Sequence, residues 1–450
     1  MKKGSQRKVL FVGLVLLLLL SCSISIIAAS ESNWSKMKGQ TINVLAPNLT
    51  FVEGLKGLTP QFEEMTGVKV NIDVFNEPTT RRKAQIELAS GSDAYDLIWV
   101  PGEFAISYIN AGWLSPIDPL IKSKYTDNTY LDINDFIPST LELMKSGRKS
   151  YGLPWFPATI IMYYRTDILK QAGIHKAPET IDELVRAVKK VHGKNGVAGI
   201  AMRGVPKMNL WIFSSFLHAT GGGYFKDFKN GNMEPALNTT QSIEAARIYA
   251  DLLKNYSIPG IATADYDQVV IAMQQGNVAF AIDGAPLAGR IVDPTKSKVI
   301  DKIGYAVVPG GTHGVHPAFA GHSWAIPKYA KNKNAAWAFM QWSTSKQIQK
   351  EVALKSNHVA VTRKSVWDDN EFRAKWNLKG EGDFLKTFSK SISLGDPDYR
   401  PRLTEWPLIE DIVGRALNEI TVGVKTPEQA FEEANKRVRK LMVDKGYLKK

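Results

Sequence analysis

The chain of 450 residues has few of the residues that build disulfide frameworks and metal sites. Its one cysteine, Cys22, excludes an internal disulfide, a zinc finger and a CxxC redox pair. Its seven histidines are scattered along the chain, so a multi-histidine metal centre is not expected. We therefore predict neither a metal nor a cofactor.

The common catalytic signatures are also missing. The sequence has no P-loop, no HExxH motif and no EF-hand loop. The run Gly321-His322-Ser323-Trp324-Ala325 comes near a G-x-S-x-G nucleophile elbow, which lies between a strand and a helix. Here Ser323 leads into a strand-like run instead. These absences predict a protein that is not an enzyme.

The charge is basic without being concentrated. Lysine and arginine number 57 against 44 aspartate and glutamate residues, an excess of 13. Four of the basic residues precede an apolar run at the N-terminus, which leaves an excess of nine for the remainder. The others are spread along the chain, whereas a nucleic-acid footprint would be clustered, so no nucleic-acid partner is expected.

Residues 1–30 read as a targeting segment. A basic start is followed by the apolar run VLFVGLVLLLLL and then by small residues, as in a secretory signal. Cys22 follows this run, and Leu-Leu-Ser-Cys resembles a bacterial lipobox, whose cysteine carries a membrane-anchoring lipid. Cleavage near Ser30 and an uncleaved anchor over 9–29 stay open alternatives. All three predict export to the cell envelope.

From Thr41 the chain alternates between strand-like and helix-like runs. TINVLA, VKVNIDVF and YDLIWV have strand patterns, and helical patterns with terminal glycines lie between them. Thr180 and Glu183 form a capping box before a further helix. This order predicts an open α/β sheet. The stretches 152–157 and 309–317, and the polar stretch after Arg363, are candidate joints between two lobes.

Aromatic rings lie near turns and at the ends of strands. Trp99 ends a strand, Trp155 and Phe156 lie between prolines, Trp324 follows a Gly-rich loop, and Trp406 begins a helix. Ligands of open α/β sheets bind beyond the carboxyl ends of the strands. Flat rings stack on the C–H faces of sugars, while carboxylates, amides and arginine bind hydroxyls. The pattern favours a sugar site, with core packing as the alternative for each ring.

Six passages resemble, in order, the extracellular solute-binding proteins of bacterial ABC importers, in the carbohydrate-binding family that includes maltose-binding protein. The likeness spans about residues 41–445. The passages are YDLIWVPGEFAISYINAGWLSPID, YGLPWFPATIIMYYRTDILKQAGI, LWIFSSFLHATGGGYF, QQGNVAFAIDGAP, AGHSWAIPKYAKNKNAAWAFMQWSTS and PEQAFEEANKRV.

This resemblance implies a type II periplasmic-binding-protein fold: two α/β lobes, a hinge, and a ligand cleft between them. The expected N-terminal lobe is 41–156 plus 318–364, and the expected C-terminal lobe is 157–317 plus 365–450. Closure over the ligand would shift the population toward a form that the membrane permease recognises. The expected protein is a monomer.

By position within the six passages, the resemblance implies a set of ligand contacts. They are Asn48, Trp99, Glu103, Trp155, Phe156, Thr159, Trp211, Asp283, Gly284, His322, Trp324, Arg402 and Trp406. His322 stands where many relatives carry tryptophan. Ala158 stands where maltose-binding protein has glutamate, so maltose is not assumed.

The predicted function is the capture of a sugar or oligosaccharide and its delivery to a permease. One alternative keeps the fold but binds an anion, such as glycerol phosphate or a uronate oligomer, through Arg402 and Arg400. The other is a secreted hydrolase that uses paired carboxylates.

Overall fold

The structure is a computed structural model that describes residues 33–378 and 380–449. The predicted targeting segment 1–30, with Cys22, lies outside the described residues. No helix in the described part of the chain is long and apolar enough to cross a membrane.

The strands carry the framework of the molecule. They are β1 (Thr41–Pro47), β2 (Lys69–Phe75), β3 (Leu97–Pro101), β4 (Lys145–Ser146), β5 (Lys149–Ser150), β6 (Gly152–Arg165), β7 (Ala198–Ala201), β8 (Phe225–Asp227), β9 (Asn232–Pro235), β10 (Val278–Gly284), β11 (Ile303–Ala306) and β12 (Phe319–Ala325).

Helices cover the sheet and fill the connections between strands. They are α1 (Thr50–Thr66), α2 (Glu77–Ala89), α3 (Gly102–Asn110), α4 (Asp118–Ile121), α5 (Asn128–Leu131), α6 (Pro138–Glu142), α7 (Thr166–Gln171), α8 (Ile181–Val191), α9 (Leu210–Ala219), α10 (Thr240–Tyr256), α11 (Tyr266–Gln274), α12 (Ala288–Ile291), α13 (Lys333–Ser343), α14 (Lys346–Lys355), α15 (Lys364–Trp367), α16 (Asn370–Trp376), α17 (Phe384–Leu394), α18 (Trp406–Thr421) and α19 (Pro427–Asp444).

The long strand β6 joins two halves of one sheet, whose order is β2-β1-β3-β12-β6-β10-β7 with β11 also paired to β6. The first half of β6 pairs antiparallel with β12, from Gly152 to Thr159. From Ile160 onward it pairs with β10 and then with β11. The two halves are the sheets of two α/β lobes, as the sequence predicts. Helices α1, α2 and α3 pack in the N-terminal lobe, and α8, α10, α11 and α18 in the C-terminal lobe.

The local sequence explains where these elements start and stop. Helix α1 ends because Gly67 adopts a left-handed conformation, with φ of 69°, that favours glycine. The capping box of Thr180 and Glu183 is present at the start of α8 and confirms that prediction. Helix α2 begins after Asn76, whose side chain caps it by accepting a hydrogen bond from the Thr79 amide.

The Pro-flanked stretch 152–157 lies within β6 and is not a loop between elements. Its pairing with β12 changes register between His322 and Ser323, which is the mark of a β-bulge. Proline donates no hydrogen bond to a strand ladder and is tolerated at such bulges, so Pro154 and Pro157 fit a strand here. The bulge lies a few residues before Ile160, where β6 changes from pairing with β12 to pairing with β10. The exact lobe boundaries given above stay predictions.

Candidate functional site

A cavity of about 400 Å³ lies between the lobes. Its size falls within the range of roughly 300–1,000 Å³ that is usual for small-molecule sites. Its wall includes residues that follow the carboxyl ends of strands β1, β2, β3, β7 and β10. From the N-terminal lobe it includes Asn48, Thr50, Glu53, Glu77, Arg81, Glu103, Phe156 and His322. From the C-terminal lobe it includes Arg203, Lys207, Trp211, Tyr266, Gly284, Arg290, Arg400 and Glu410.

His322 reaches the cavity at the bulge between β12 and β6. Its ring lies 4.9 Å from the ring of Phe156 and 5.4 Å from that of Trp99, centroid to centroid. Burial lowers the pKa of His322, although Glu77 and Glu103 act in the opposite direction. The imidazole is therefore neutral at pH 7. Its Nδ1 atom has no partner among the described residues, so it is free to bind a hydroxyl.

Arg203 follows β7 and is held by Asp283 near the end of β10. The Arg203 Nε atom lies 3.0 Å from both carboxylate oxygens of Asp283. Burial opposes the charge on the guanidinium, but Asp283 and Glu77 favour it, and the pKa of Arg203 is raised. Tyr266 packs against the guanidinium, 5.2 Å from Arg203 Cζ to the ring centroid. Asp283 is fully buried behind this arginine.

Arg400, Glu410 and Trp211 form the opposite part of the C-terminal wall. Arg400 Nη1 donates a hydrogen bond to Glu410. Burial opposes the charge of Arg400, but Tyr399 and Glu410 raise its pKa above the ordinary value. Arg400 Nε and Trp211 Nε1 have no hydrogen-bond partner in the described part of the chain. A buried donor without a partner costs free energy, so these two N–H groups indicate where ligand oxygens would bind.

Every cation in the cavity wall already has a carboxylate partner. The pairs are Arg81–Glu103, Arg203–Asp283, Lys207–Asp411, Arg290–Asp267 and Arg400–Glu410. Glu53 and Glu77 also line the cavity, and neither has an ion pair among the described residues. The wall therefore offers hydrogen-bond donors and acceptors, but no surplus positive charge.

Six of the thirteen predicted contact residues line this cavity. They are Asn48, Glu103, Phe156, Trp211, Gly284 and His322. The loop after β1 places Asn48, and the first turn of α3 places Glu103, as expected for residues at carboxyl ends of strands.

The other seven predicted residues do not line this cavity, so their contact with a ligand stays a prediction. They are Trp99, Trp155, Thr159, Asp283, Trp324, Arg402 and Trp406. The strand residues among them are buried within the sheet, where Trp155 packs 5.2 Å from Trp324. Trp406 packs against Tyr224, with the ring centroids 5.0 Å apart. Asp283 binds Arg203 from behind the wall, and Arg402 binds Asp398 and the Glu142 carbonyl oxygen.

Sequence reasoning missed several wall residues, chiefly Glu77, Arg81, Arg203 and Tyr266. Two of them carry a signal that could have been used. Arg203 follows the strand-like run VAGIAM, and Glu77 follows VKVNIDVF. The rule that ligands bind beyond the carboxyl ends of strands would have indicated both. Within the described residues, no cluster of three or more His, Cys, Asp or Glu could hold a metal ion.

Two lobes, a connecting strand and a cavity between them define a ligand-binding protein of the type II periplasmic-binding-protein class. Residues 47–350 match the family model described as bacterial extracellular solute-binding protein. The chain belongs to that family, which confirms the resemblance drawn from the sequence. The family's description places its members outside the cytoplasm.

Individual relatives are similar over most of their length. The mannitol-binding protein of Pseudomonas aeruginosa is 24% identical over 433 residues, covering 91% of this chain and 95% of that protein. The erythritol/L-threitol-binding protein of Mycolicibacterium smegmatis is 23% identical over 402 residues, covering 85% and 83%. The structure is also similar to an ABC transporter solute-binding protein from Agrobacterium radiobacter K84 in complex with ribitol. That likeness has a TM-score of 0.80 and 26% identity and covers 90% of this chain and 99% of the other.

Proposed function

We propose that this protein is the binding subunit of an ABC importer and that it captures an acyclic polyol or a small neutral sugar. One observation carries the proposal: each cation of the cavity wall is paired with a carboxylate, while Glu53 and Glu77 have no ion pair among the described residues. A neutral ligand rich in hydroxyls can use both donors and acceptors of such a wall without burying an unpaired charge.

The wall is suited to hydroxyl groups in particular. Trp211 Nε1 and Arg400 Nε can donate to hydroxyl oxygens, and the carboxylates of Glu53 and Glu77 can accept from hydroxyl hydrogens. Phe156 and Tyr266 add apolar surface for the C–H groups of the ligand. Two of the named relatives and the similar ribitol complex concern acyclic polyols, which supports polyols as the first ligands to test.

An anionic ligand fits the site less well. It would need Arg400 and Arg402, but Arg400 is paired with Glu410, and Arg402 lies outside the cavity and binds Asp398 at 2.6 Å. An anion would also approach the unpaired carboxylates of Glu53 and Glu77. Charge repulsion therefore favours the neutral ligand.

In this proposal the protein acts by binding and not by catalysis. Ligand contacts from both lobes favour the closed form, and a permease in the membrane recognises that form. The monomer is tethered outside the membrane through a lipid on Cys22, and it delivers its ligand unchanged.

A ligand screen tests the proposal. We expect erythritol, ribitol, D-mannitol or a small sugar to raise the melting temperature, with glycerol 3-phosphate and galacturonate as the anionic comparison. Isothermal titration calorimetry then gives the affinity, and nuclear magnetic resonance of the recovered ligand checks that it is unchanged. Stabilisation by the anions alone would contradict the neutral ligand, and turnover of the ligand would contradict a binding role.

A further inference from the structure

Two of the hydrogen bonds between the lobes lie outside the ligand cavity, at the ends of α3 and α6, and we call their four residues (Asn110, Glu142, Arg402 and Thr404) the seam. Arg402 Nη1 donates to the backbone carbonyl oxygen of Glu142 at 3.0 Å. Asn110 Nδ2 donates to Thr404 Oγ1 at 3.3 Å. Asn110 ends α3 and Glu142 ends α6 in the N-terminal lobe, while the other two residues precede α18 of the C-terminal lobe. Both bonds cross from one lobe to the other, so a separation of these two surfaces would break them.

Contacts within the C-terminal lobe hold the Arg402 side chain in the orientation in which it bonds to the N-terminal lobe. Its Nε atom donates to Asp398 Oδ1 at 2.6 Å, and both side chains are only about one-fifth exposed. The Asp398 amide is in turn bound by Asp396, whose carboxylate pairs with Lys229 at 2.6 Å. The guanidinium is therefore oriented by the C-terminal lobe. This preorganisation lowers the entropy that its bond to the other lobe would cost.

The seam is too tight to hold a ligand. The space beside it, which Gly102, Leu143 and Arg402 help to line, measures about 10 Å³, enough for about one water molecule. Neither Arg402 nor Thr404 lines the 400 Å³ cavity. A substitution at Arg402 therefore removes no contact with a ligand in that cavity.

We propose that Arg402 is a positioning residue that stabilises the closed form from outside the ligand cavity and so sets the affinity for the ligand. The inference rests on the proposed function, since it assumes that the closed form is the one that binds. A ligand that binds only the closed form has an apparent Kd equal to the intrinsic Kd divided by the closed fraction. A hydrogen bond present only in that form raises this fraction without touching the ligand.

Three variants and a control test the seam directly. Arg402→Gln and Asn110→Ala each remove one of its bonds, and Arg402→Lys retains a positive charge but lacks the guanidinium fork. The control is Arg439→Gln, which breaks an ion pair of 3.0 Å with Glu234 inside the C-terminal lobe. Spin labels on the exposed Lys56 and Gln241, one per lobe, report the separation of the lobes by pulsed electron paramagnetic resonance.

The separation is measured first without ligand and then with D-mannitol, or with the polyol that binds in the screen above. We expect Arg402→Gln to lower the closed fraction and to weaken binding roughly three- to tenfold, the effect of losing one partly exposed hydrogen bond of ordinary strength. Dissociation should become faster, Asn110→Ala should have a smaller effect, Arg402→Lys should be intermediate, and Arg439→Gln should match the wild type.

Two results would overturn the inference. One is an unchanged closed fraction in both Arg402→Gln and Asn110→Ala. The other is weaker binding with an unchanged separation of the lobes, because Arg402 would then act on the ligand site through the neighbouring Arg400 or by contact, and not through closure. If the wild type binds no polyol or sugar, the proposed function fails, but the ligand-free separations still decide whether the seam holds the lobes together.

Discussion

The guanidinium carbon of Arg400 lies 5.5 Å from the ring centroid of Trp211, and each of these side chains has a buried N–H group without a partner among the described residues. Both residues lie on the C-terminal wall of the cavity and are less than a tenth exposed. The ring and the two donors form one surface. We infer that a ligand hydroxyl completes the hydrogen bonds that the protein leaves unmade.

Replacing Trp211 by phenylalanine separates the hydrogen bond from the ring. Trp211→Phe keeps an aromatic surface but removes Nε1, so we expect the affinity for the bound polyol to fall by about 1 kcal/mol, roughly fivefold. Trp211→Ala should weaken binding further because the ring is also lost. Titration calorimetry measures both.

The matched control for this prediction is Trp376→Phe. Trp376 Nε1 is also buried without a partner among the described residues, but the residue lies outside the cavity. Its substitution should leave the affinity within twofold of the wild type. Equal binding by Trp211→Phe and the wild type would show that the indole N–H is not used.

The buried pair of Arg203 and Asp283 should govern stability as well as binding. Asp283→Asn leaves a largely buried guanidinium without its countercharge, and breaking one partner of a buried ion pair costs about 3–5 kcal/mol. The side chain of Arg203 is 13% exposed, so we expect the free energy of unfolding to fall by about 3 kcal/mol, the lower end of this range. Unfolding in urea measures this change. Asp444→Asn, which removes a half-exposed carboxylate paired with Lys440 on the surface, should change stability by less than about 1 kcal/mol.

The sequence predicts the framework of the fold well because the framework follows from local periodicity. The alternating strand and helix patterns before Pro101 correspond to β1, α1, β2, α2 and β3. The strand-like run at Ser323 is part of β12, so this serine is not at a nucleophile elbow. The capping box of α8 is also a local signal. Such signals need only a few neighbouring residues, and one sequence supplies them.

The cavity wall is harder to predict because it depends on which face each strand residue presents. A shift of one residue turns a side chain to the opposite face of a sheet. The β-bulge in the pairing with β6 places His322 on the wall, while Ser323 and Trp324 are buried. Trp99 lies in a strand that is buried on both faces. Arg203 and Glu77 are far apart in the chain, so a local sequence pattern does not show that they lie near each other.

Trp406 provides a test of this distinction. The residue is fully buried and packs against Tyr224 away from the cavity wall. Trp406→Ala should therefore lower the free energy of unfolding by about 3–5 kcal/mol, as expected for a large core side chain. The milder Trp406→Phe should remain folded and bind the polyol within threefold of the wild type. A tenfold loss of affinity in Trp406→Phe, with little loss of stability, would instead support the direct ligand contact that the sequence predicts for Trp406.

His358 should make the protein less stable in acid. The side chain is 1% exposed and packs against Phe51 and Phe156. Its Nδ1 atom lies 3.2 Å from Thr50 Oγ1. Burial lowers the pKa of His358 to about 3, whereas the unfolded chain takes up the proton at about pH 6.5. Between these two values the unfolded state binds more protons, so stability falls as the pH falls through this window.

At pH 4.5 this difference in proton binding amounts to about 2–3 kcal/mol of stability lost relative to pH 7. His358→Gln removes the titrating group. Between pH 7 and pH 4.5, the free energy of unfolding in urea should therefore fall by about 2–3 kcal/mol less in His358→Gln than in the wild type. His175→Gln, at an exposed position, controls for the loss of a histidine and should follow the wild type. Carboxylates that titrate in the same range contribute equally to all three proteins and cancel in the comparison. Parallel pH profiles for His358→Gln and the wild type would contradict the burial of a neutral imidazole beneath the cavity.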